Sequence, residues 1–276
     1  MKVYRGPVSK LFPQGATLGE VLMKMSRLDL GHVTEAAEKG AVWRQRLGKG
    51  KILRVRDPSI VLHPNDLVIF NLDPKVLSLR TPELPRVIYE GKHYGVWYKP
   101  AGMVTQGTPS GDHTSLLRLT EIYKKKETWL IHRLDRETMG LVLIGYTSEG
   151  ASKLSDLFVK NEVKKIYQAR VLGTIFQSLE QTITESLDGK DAITHIEVLK
   201  QYETQSLLQV ELETGRLHQI RRHLDFINHP IMGDPKYGMG NKNKKGLQLL
   251  AKSITFYDPW DKSLKNYECV ESLDNS

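Results

Sequence analysis

The chain has 276 residues, 39% of them apolar and 26% charged, which is typical of a folded globular protein large enough for two domains. Its 40 Lys and Arg against 32 Asp and Glu give a net charge of +8, which favours a polyanionic partner. The single cysteine, Cys269, excludes an internal disulfide and a multi-cysteine zinc site. No apolar run approaches the roughly 20 residues of a membrane span and no signal peptide is evident, so we expect a cytoplasmic protein.

Residues 1–73 have the pattern of a small α+β module. Apolar spacing over residues 17–39 predicts two helices with a break at Leu30 and Gly31. Short β patterns follow over residues 40–43, 51–55 and 66–70.

This module also carries most of the positive charge. Residues 1–73 hold 12 Lys or Arg against 7 Asp or Glu, whereas the remaining 203 residues hold 28 against 25. The basic residues concentrate before Asp57, and Arg44, Arg46, Lys49 and Lys51 are the candidates for phosphate contacts. We therefore predict an RNA- or DNA-docking module; a solvated basic face without a ligand is the alternative.

Three prolines, Pro74, Pro82 and Pro85, separate this module from the rest of the chain. Proline fixes the backbone in an extended form, so residues 74–86 are predicted to be a stiff, extended linker. The predicted organisation is a domain over residues 1–73, this linker, and a second domain over residues 87–276.

The second domain is predicted to mix strands and helices. Strands are predicted over residues 87–89, 95–98, 129–131, 141–144, 164–172 and 208–212. Helices are predicted over residues 115–123, after a Ser148 cap, and from residue 216 to residue 224.

A polar loop, residues 132–138, lies between two of the apolar strands. It contains His132, Arg133, Asp135 and Thr138, and Gly140 gives the chain the freedom to enter the next strand. This pattern predicts that Asp135 lies at the mouth of a cleft between the strands; an ordinary charged hairpin is the alternative.

Arg221 is the second candidate of interest. On a helical wheel it lies about 40° from Leu217, at the edge of the apolar stripe, whereas His218 and Arg222 point towards solvent. A cation at a buried edge needs an anionic partner, and Asp135 is the candidate for the guanidinium fork. Tyr167, on the strand of residues 164–172, either stacks on a planar ligand or belongs to the core.

Five motifs occur in order over residues 86–258. They are Lys99-Pro100-x-Gly102, His132-Arg133-Leu134-Asp135-x-x-Thr138-x-Gly140, Lys165-x-Tyr167, Gly215-Arg216-x-His218-Gln219-Ile220-Arg221-x-His223, and His229-Pro230-Ile231-x-Gly233-Asp234-x-x-Tyr237-Gly238. The set resembles the pseudouridine synthases of the RluA type, which modify large-subunit rRNA and tRNA. Residues 1–73 likewise resemble the small S4 RNA-binding domain, although Leu47-Gly48-Lys49-Gly50 replaces its usual Asn-Gly turn.

The resemblance implies a mixed α/β (α+β) fold with a central, mostly antiparallel sheet and a basic catalytic cleft. It implies that Asp135 is the catalytic aspartate, Tyr167 the base-stacking tyrosine and Arg221 the carboxylate-orienting arginine. The remaining motif residues, assigned to RNA binding, are Arg133, Lys99, His132, Arg216 and His218. Two positions depart from the family pattern: Met139 stands in place of serine, and Leu249-Leu250-Ala251 in place of Leu-His-Ala.

The implied reaction converts uridine to pseudouridine with one carboxylate, without metal or cofactor. The carboxylate attacks C1′, adds to C6 or removes the C2′ proton, and the sequence leaves these routes open. We expect a monomer acting on structured RNA, with 23S rRNA as the first candidate and tRNA as the alternative. A catalytically silent RNA-binding protein is a further alternative.

Two other enzyme classes fit the sequence less well. The key histidines lie beside basic residues that repel a metal ion, which argues against a metal-dependent nuclease or phosphatase. A glycosidase needs a second carboxylate facing Asp135, and the sequence marks none.

Overall fold

The computed structural model describes residues 1–81, 83–175, 181–241 and 243–275. The chain packs as two compact units: unit 1 comprises Met1–Thr81 and Gln106–Ile122, and unit 2 comprises Pro82–Thr105 and Tyr123–Ser276. Residues 106–122 thus pack in unit 1, although the predicted division assigns them to the second domain. Where each folding domain begins and ends stays a prediction. None of the helices in the described ranges has the length and apolar composition needed to cross a membrane.

Unit 1 combines helices with a four-stranded antiparallel sheet ordered β1-β6-β3-β4. Its elements are β1 (Lys2–Pro7), β2 (Ala16–Thr17), α1 (Leu18–Ser26), α2 (Leu30–Glu38), β3 (Val42–Gln45), β4 (Ile52–Arg54), β5 (Val61–Leu62), β6 (Leu67–Leu72) and the short α3 (Pro74–Leu77), with 3-10 turns at Val8–Lys10 and Arg46–Gly48. The two predicted helices are confirmed. Their break lies earlier than predicted, since Arg27 is left-handed (φ 62°) and the Asp29 carboxylate caps α2 by accepting from the His32 amide at 3.0 Å.

The start of the predicted linker is not extended. Residues Pro74–Leu77 form a helical turn, because the Asp73 carboxylate caps it by accepting from the Lys75 amide at 3.1 Å. Proline is well tolerated in the first turn of a helix, so Pro74 begins this turn and does not prevent it. Pro82, on which the linker prediction also rests, lies outside the described residues.

Unit 2 is built on a ten-stranded sheet. The main path is β12-β13-β14-β11-β15-β10-β8-β7, with β16 on β15 and β9 on β10. The strands are β7 (Arg86–Glu90), β8 (Tyr94–Lys99), β9 (Trp129–Leu130), β10 (Met139–Gly145), β11 (Lys164–Leu172), β12 (Gln181–Ile183), β13 (Thr194–Gln201), β14 (Gln205–Leu212), β15 (Leu249–Tyr257) and β16 (Leu264–Glu268); the remaining helices of the chain are α4 (Leu116–Lys124), α5 (Ser148–Val159), α6 (Gln219–Phe226) and a 3-10 turn at Leu273–Asn275. Pairing is antiparallel throughout the described strands except between β10 and β15, which confirms the mixed α/β fold with a mostly antiparallel sheet.

Two elements of unit 2 show how closely the sequence pattern predicts the ends of a strand or helix. The strand predicted over residues 164–172 is confirmed at both ends as β11. The helix predicted after Ser148 is confirmed as α5, but its cap is Thr147, whose Oγ1 accepts from the Gly150 amide at 3.0 Å. The two residues are both good caps, and the sequence pattern does not separate them.

Gly140 is the point at which β10 joins the loop of residues 132–138 to the sheet. The parallel pairing of Gly140 with Ala251 brings the two backbones together, and Gly140 has φ 118°. A Cβ at this position would lie 2.3 Å from the Ala251 carbonyl oxygen. The predicted use of Gly140 as a conformationally free residue is therefore confirmed, and the close approach excludes a larger residue.

Gly140→Ala is expected to destabilise the protein by about 3 kcal/mol, because the added methyl group meets backbone atoms that have no room to move. Denaturant unfolding followed by tryptophan fluorescence measures this change. Gly189→Ala is the control, since Gly189 also has a positive φ (71°) but faces open space. The expected cost of Gly189→Ala is limited to about 1–2 kcal/mol of backbone strain. Equal destabilisation of the two variants would show that the close contact with the Ala251 backbone does not add to the cost at position 140.

Candidate active site

The loop of residues 132–138 is held rigid by the segment that follows β8. Thr105 Oγ1 donates to the Leu134 carbonyl at 2.7 Å and accepts from the Leu134 amide at 3.1 Å. Gly102 and Arg136 also exchange two hydrogen bonds, one from the Gly102 amide at 2.8 Å and one from Arg136 Nε at 3.1 Å. The backbone on either side of Asp135 is therefore fixed, which sets the direction of its carboxylate.

Lys99 belongs to this rigid backbone framework and not to an RNA-binding surface. Its side chain is fully buried, and its Nζ donates to the carbonyls of Pro100 (3.1 Å), Met103 (2.8 Å) and Arg136 (3.2 Å). Burial lowers the pKa of Lys99 to about 7, against the opposing effect of Glu137 and Asp135. The predicted contact between Lys99 and RNA is wrong, because a buried amine that bonds three carbonyls cannot reach a phosphate.

Arg221 connects two aspartates. Its Nε and Nη2 each lie 2.7 Å from an oxygen of Asp234, in the bidentate geometry that suits a carboxylate. Its remaining nitrogen, Nη1, lies 3.6 Å from Asp135 Oδ2. The predicted pair with Asp135 is present, but the prediction that Asp135 receives the guanidinium fork is wrong, since Asp234 occupies it.

The pair of Arg221 and Asp234 is deeply buried, each residue being 2% exposed. Burial is the largest single effect and opposes both charges, but the hydrogen bonds and the charge attraction together outweigh it, so the pKa of Arg221 is raised and the pKa of Asp234 is lowered. The amides of Lys236 and Tyr237 also donate to Asp234 Oδ1, at 2.8 and 3.0 Å. Asp234 therefore stays ionised and holds Arg221 in one orientation.

His218 faces the site, which corrects the predicted solvent orientation. Its Nε2 lies 3.6 Å from Asp135 Oδ2, and its Nδ1 lies 3.1 Å from the Tyr237 hydroxyl. Desolvation lowers the pKa of His218 and outweighs the opposing effect of Asp135, which favours the neutral ring. His218 is thus a polar neighbour of the carboxylate and not a free cation for a phosphate.

The turn before α6 explains this orientation. The helix begins at Gln219, three residues later than predicted, because His218 is left-handed (φ 54°). Gln219 Oε1 accepts from Thr214 Oγ1 at 2.8 Å and from the Arg216 amide at 2.9 Å, which fixes the turn. Leu217, predicted to be part of the apolar stripe, is therefore 62% exposed, whereas Ile220 and Leu224 are buried as predicted.

Asp135 stands in a cleft of about 320 Å³, as predicted, and Tyr167 and Arg221 line the same cleft. Tyr167 pairs with Val210 and Ala251 in the sheet and packs partly against the apolar core, while it also lines the cleft. Its contact with the core agrees with one predicted alternative, and its stacking on a planar ligand stays a prediction. Burial, with a smaller effect from Asp135, raises the pKa of Tyr167, and the hydroxyl stays protonated. A pocket of this size and composition is suited to a planar, polar ligand such as a nucleobase.

Of the remaining residues predicted to bind RNA in this unit, Arg133 and Arg216 line the cleft. Arg133 is exposed and makes no hydrogen bond or ion pair to another described residue, whereas Arg216 Nε donates to the Asp191 carbonyl at 2.9 Å. His132 instead accepts from the Leu143 amide at 3.0 Å and stacks on Phe158. Burial, helped by Lys165, lowers the pKa of His132 to about 3, so a cationic His132 is excluded.

The basic residues of unit 1 divide into paired and unpaired groups. Arg44 lies 2.6 Å from the buried Asp66, and Arg56 lies 2.6 Å from Asp112, which also binds Arg54. Arg46, Lys49 and Lys51 are exposed and make no side-chain bond to a residue that the structure describes. Arg44 therefore forms an internal ion pair. The other three residues predicted to contact phosphate have exposed side chains whose charge is not paired with a described residue.

Two residues that shape the site, Asp234 and Gln219, are not singled out by the sequence patterns. Both lie within the family motifs, and that position is the available signal for them. Asp234 belongs to a turn-rich loop, and the sequence does not show that it pairs with Arg221, 13 positions earlier. Gln219 falls within the predicted helix, so the sequence pattern does not show that its side chain bonds the residues of the preceding turn.

Asp234→Asn is expected to destabilise unit 2 by about 3–5 kcal/mol, because the buried Arg221 loses its bidentate ionic partner and keeps only the longer contact with Asp135. Equilibrium unfolding in urea measures the change. Asp188→Asn is the control: it removes the bidentate partner of Arg222, the next residue on the same helix, but that pair is exposed to solvent. Its unfolding midpoint should stay near that of the parent protein, and similar destabilisation of the two variants would refute the special role of Asp234.

Comparison with known proteins gives a consistent result. Residues 93–226 match the family model described as RNA pseudouridylate synthase. The chain is 30% identical to ribosomal large subunit pseudouridine synthase D of Xylella fastidiosa, over 84% of this chain and 72% of that protein. It is also 30% identical to the enzyme of the same name from Pseudomonas aeruginosa, of which it spans 64%, and to an uncharacterized RNA pseudouridine synthase of Aquifex aeolicus, of which it spans 76%.

Solved structures share the fold. Human RNA pseudouridylate synthase domain containing 4 superimposes with a TM-score of 0.54 at 23% identity, over 68% of this chain and 89% of that one. Human RNA pseudouridylate synthase domain containing 1 gives a TM-score of 0.56 at 20% identity, over 70% and 93%. The chain belongs to the RNA pseudouridine synthase family and is an isomerase of the RluA type that acts on RNA.

Proposed function

We propose that this protein converts uridine to pseudouridine in large-subunit ribosomal RNA, with Asp135 as the catalytic carboxylate. The observation that carries the proposal is the placement of Asp135 in the cleft, with Arg221 Nη1 at 3.6 Å and Tyr167 in the same wall. We expect a monomer that acts in the cytoplasm without added metal or nucleotide.

The reaction conserves every heavy atom of the nucleotide. The N1–C1′ bond breaks, the freed uracil rotates within the cleft, and C5 bonds to C1′; the C5 hydrogen leaves as a proton and N1 gains one. A single carboxylate serves any of three routes: attack on C1′, addition to C6 or removal of the C2′ proton. Each route needs an ionised Asp135 aimed at the sugar or the base.

The neighbouring residues suit this requirement. Arg221 is itself fixed by Asp234, so its free Nη1 offers Asp135 a charge in a constant direction. Tyr167 supplies an aromatic surface on which a uracil can stack while it rotates. Because a uridine must leave its helix to enter this cleft, at a cost of about a few kcal/mol, stacking on Tyr167 and contacts from the exposed Arg133 offset that cost.

The substrate proposal rests on the relatives. Two of them are named as ribosomal large subunit pseudouridine synthases, and each is 30% identical to this chain. Arg46, Lys49 and Lys51 of unit 1, part of the segment that resembles the S4 domain, are exposed and offer a second basic surface for structured RNA, through phosphate contacts that do not depend on base sequence. Transfer RNA is the alternative substrate, and turnover of the two RNAs distinguishes them.

Asp135→Asn is expected to abolish turnover, a loss of at least about a thousandfold, and to leave RNA affinity within about twofold, because the amide keeps the shape but not the charge. Tritium release from transcripts labelled at C5 of uridine measures turnover, since the C5 hydrogen is expelled as the new bond forms. Transcripts of 23S rRNA and of tRNA are compared.

The matched control is Asp191→Asn, a change of the same chemistry at an aspartate whose backbone carbonyl, not its side chain, contacts Arg216. It should retain turnover. Turnover by the Asp135 variant, or loss of wild-type turnover in EDTA, would rule out the single-carboxylate mechanism. Tritium release from the tRNA transcript but not from the 23S rRNA transcript would show that tRNA is the substrate, and the proposed reaction would still hold.

Changing Arg46, Lys49 and Lys51 together to Gln is expected to weaken rRNA binding and to flatten its salt dependence, by about 0.9 in slope for each phosphate that is no longer bound. Binding measured over a series of KCl concentrations gives the slope. Arg44→Gln removes a charge already paired with Asp66, so its slope should stay close to that of the parent. An unchanged slope in the triple variant would show that this surface does not bind RNA.

A further inference from the structure

A second cleft, of about 510 Å³, adjoins the one that holds Asp135. The two share five lining residues, Arg133, Tyr167, Leu212, Gly215 and Arg216, so they are continuous. Tyr167 and Arg133 therefore lie between the candidate reaction centre and this further space. A strand whose target base enters the first cleft has an open path into the second.

The second cleft is cationic. Arg133, Lys165 and Arg216 all line it, and among the described residues of its lining none is acidic. Arg133 makes no bond to a described residue, and the Nη groups of Arg216 likewise make none, because the side chain of Arg216 bonds the Asp191 carbonyl through Nε. Three positive groups with unused donors therefore face one space, which is the arrangement that recognises a phosphate.

Lys165 is the member of this group to which neither the fold nor the proposed reaction gives a role. It is half-buried, and burial lowers the pKa of Lys165 against a smaller opposing effect of Glu211. That carboxylate is engaged by the neighbouring residue, since Lys164 Nζ lies 2.9 Å from Glu211 Oε2. Lys165 makes no ion pair with any residue in the described part of the chain. A partly desolvated cation without a counter-charge is costly unless a ligand supplies the charge.

The strand explains why two adjacent lysines differ. Side chains alternate along β11, so Lys165 and Tyr167 share one face and both line the second cleft, while Lys164 lies on the other face with Glu211. His132, which also lines the cleft, is neutral and stacks on Phe158, so it adds neither a cation nor an anion. The positive character of the cleft therefore depends on Lys165 and the two arginines.

We propose that the second cleft binds a phosphodiester of the RNA strand adjacent to the target uridine, with the half-buried Lys165 as its main contact and Arg133 and Arg216 as outer contacts. This inference rests on the proposed function for the identity of the RNA. It assigns Lys165 to substrate binding, at a distance from the chemistry, so the residue acts on affinity and not on the bond-breaking step.

Lys165→Met, which keeps the apolar stem and removes the charge, tests this assignment. Binding of a short fluorescent oligouridylate, measured over a KCl series, should weaken about tenfold, the scale of one charge-assisted hydrogen bond. The slope of affinity against salt should fall by about 0.7, as expected for one contact to a single strand. Lys164→Met removes the same charge from the opposite face and should change neither quantity by a comparable amount.

Two further measurements separate binding from folding. Lys165→Arg keeps the charge and should restore most of the affinity, and Lys165→Met should unfold at the same temperature as the parent or higher, because it removes a desolvated charge. In tritium release from a 23S rRNA transcript, Lys165→Met should raise KM about tenfold with kcat nearly unchanged.

The outcomes distinguish this inference from the proposed function. Equal affinities and slopes for the Lys165→Met and Lys164→Met variants would overturn the phosphate site, whether or not the enzyme is active. A selective loss of affinity in Lys165→Met would support it even if the wild type released no tritium from 23S rRNA, which would count against the proposed substrate alone. A fall in kcat at constant KM would also overturn it, because it would place Lys165 in the reaction and not in binding.

Discussion

The buried guanidinium of Arg221 is the group on which the site depends. Asp234 accepts hydrogen bonds from two of its nitrogens, at 2.7 Å each, and the third nitrogen lies 3.6 Å from Asp135 Oδ2. A charge buried to this extent is tolerated only with a fixed partner, so the segment after α6 and the helix itself must fold together. The ion pair with Asp234 thereby converts a flexible side chain into a fixed charge beside the carboxylate that we propose as the catalyst.

The site also depends on the loop of residues 132–138, which hydrogen bonds to its backbone hold in place. Thr105, Gly102 and the buried Lys99 bond the carbonyls of residues 134 and 136 and the amide of residue 134, on both sides of Asp135. Backbone bonds of this kind hold a polar loop in one conformation without consuming its side chains. Asp135 keeps its carboxylate free for a substrate, and Arg133 keeps its guanidinium free for RNA.

Local patterns in the sequence predict the elements well and the partners less well. The alternation of residues 164–172 predicts β11 at its true ends, and the glycine at position 140 is correctly interpreted as a backbone requirement. The helical wheel places Arg221 at a buried edge, but a projection of one helix cannot choose between aspartates from two different loops. It also misplaces Leu217 and His218, because the Gln219 side chain ends the turn there and delays the helix. Contacts of this type depend on tertiary packing, which a local sequence pattern does not contain. The same holds for two residues predicted to bind RNA: Lys99 is buried, and Arg44 is paired with Asp66.

The central claim is that Asp135, oriented by Arg221, makes pseudouridine in large-subunit rRNA. Pseudouridine mapping at single-nucleotide resolution, in cells that lack the protein and carry either the wild-type chain or the Asp135→Asn variant, tests it most directly. The claim predicts one or a few positions in 23S rRNA that lose the modification without the protein and regain it with the wild type alone. Restoration by the Asp135→Asn variant, or an rRNA map that does not change when the protein is absent, would contradict it.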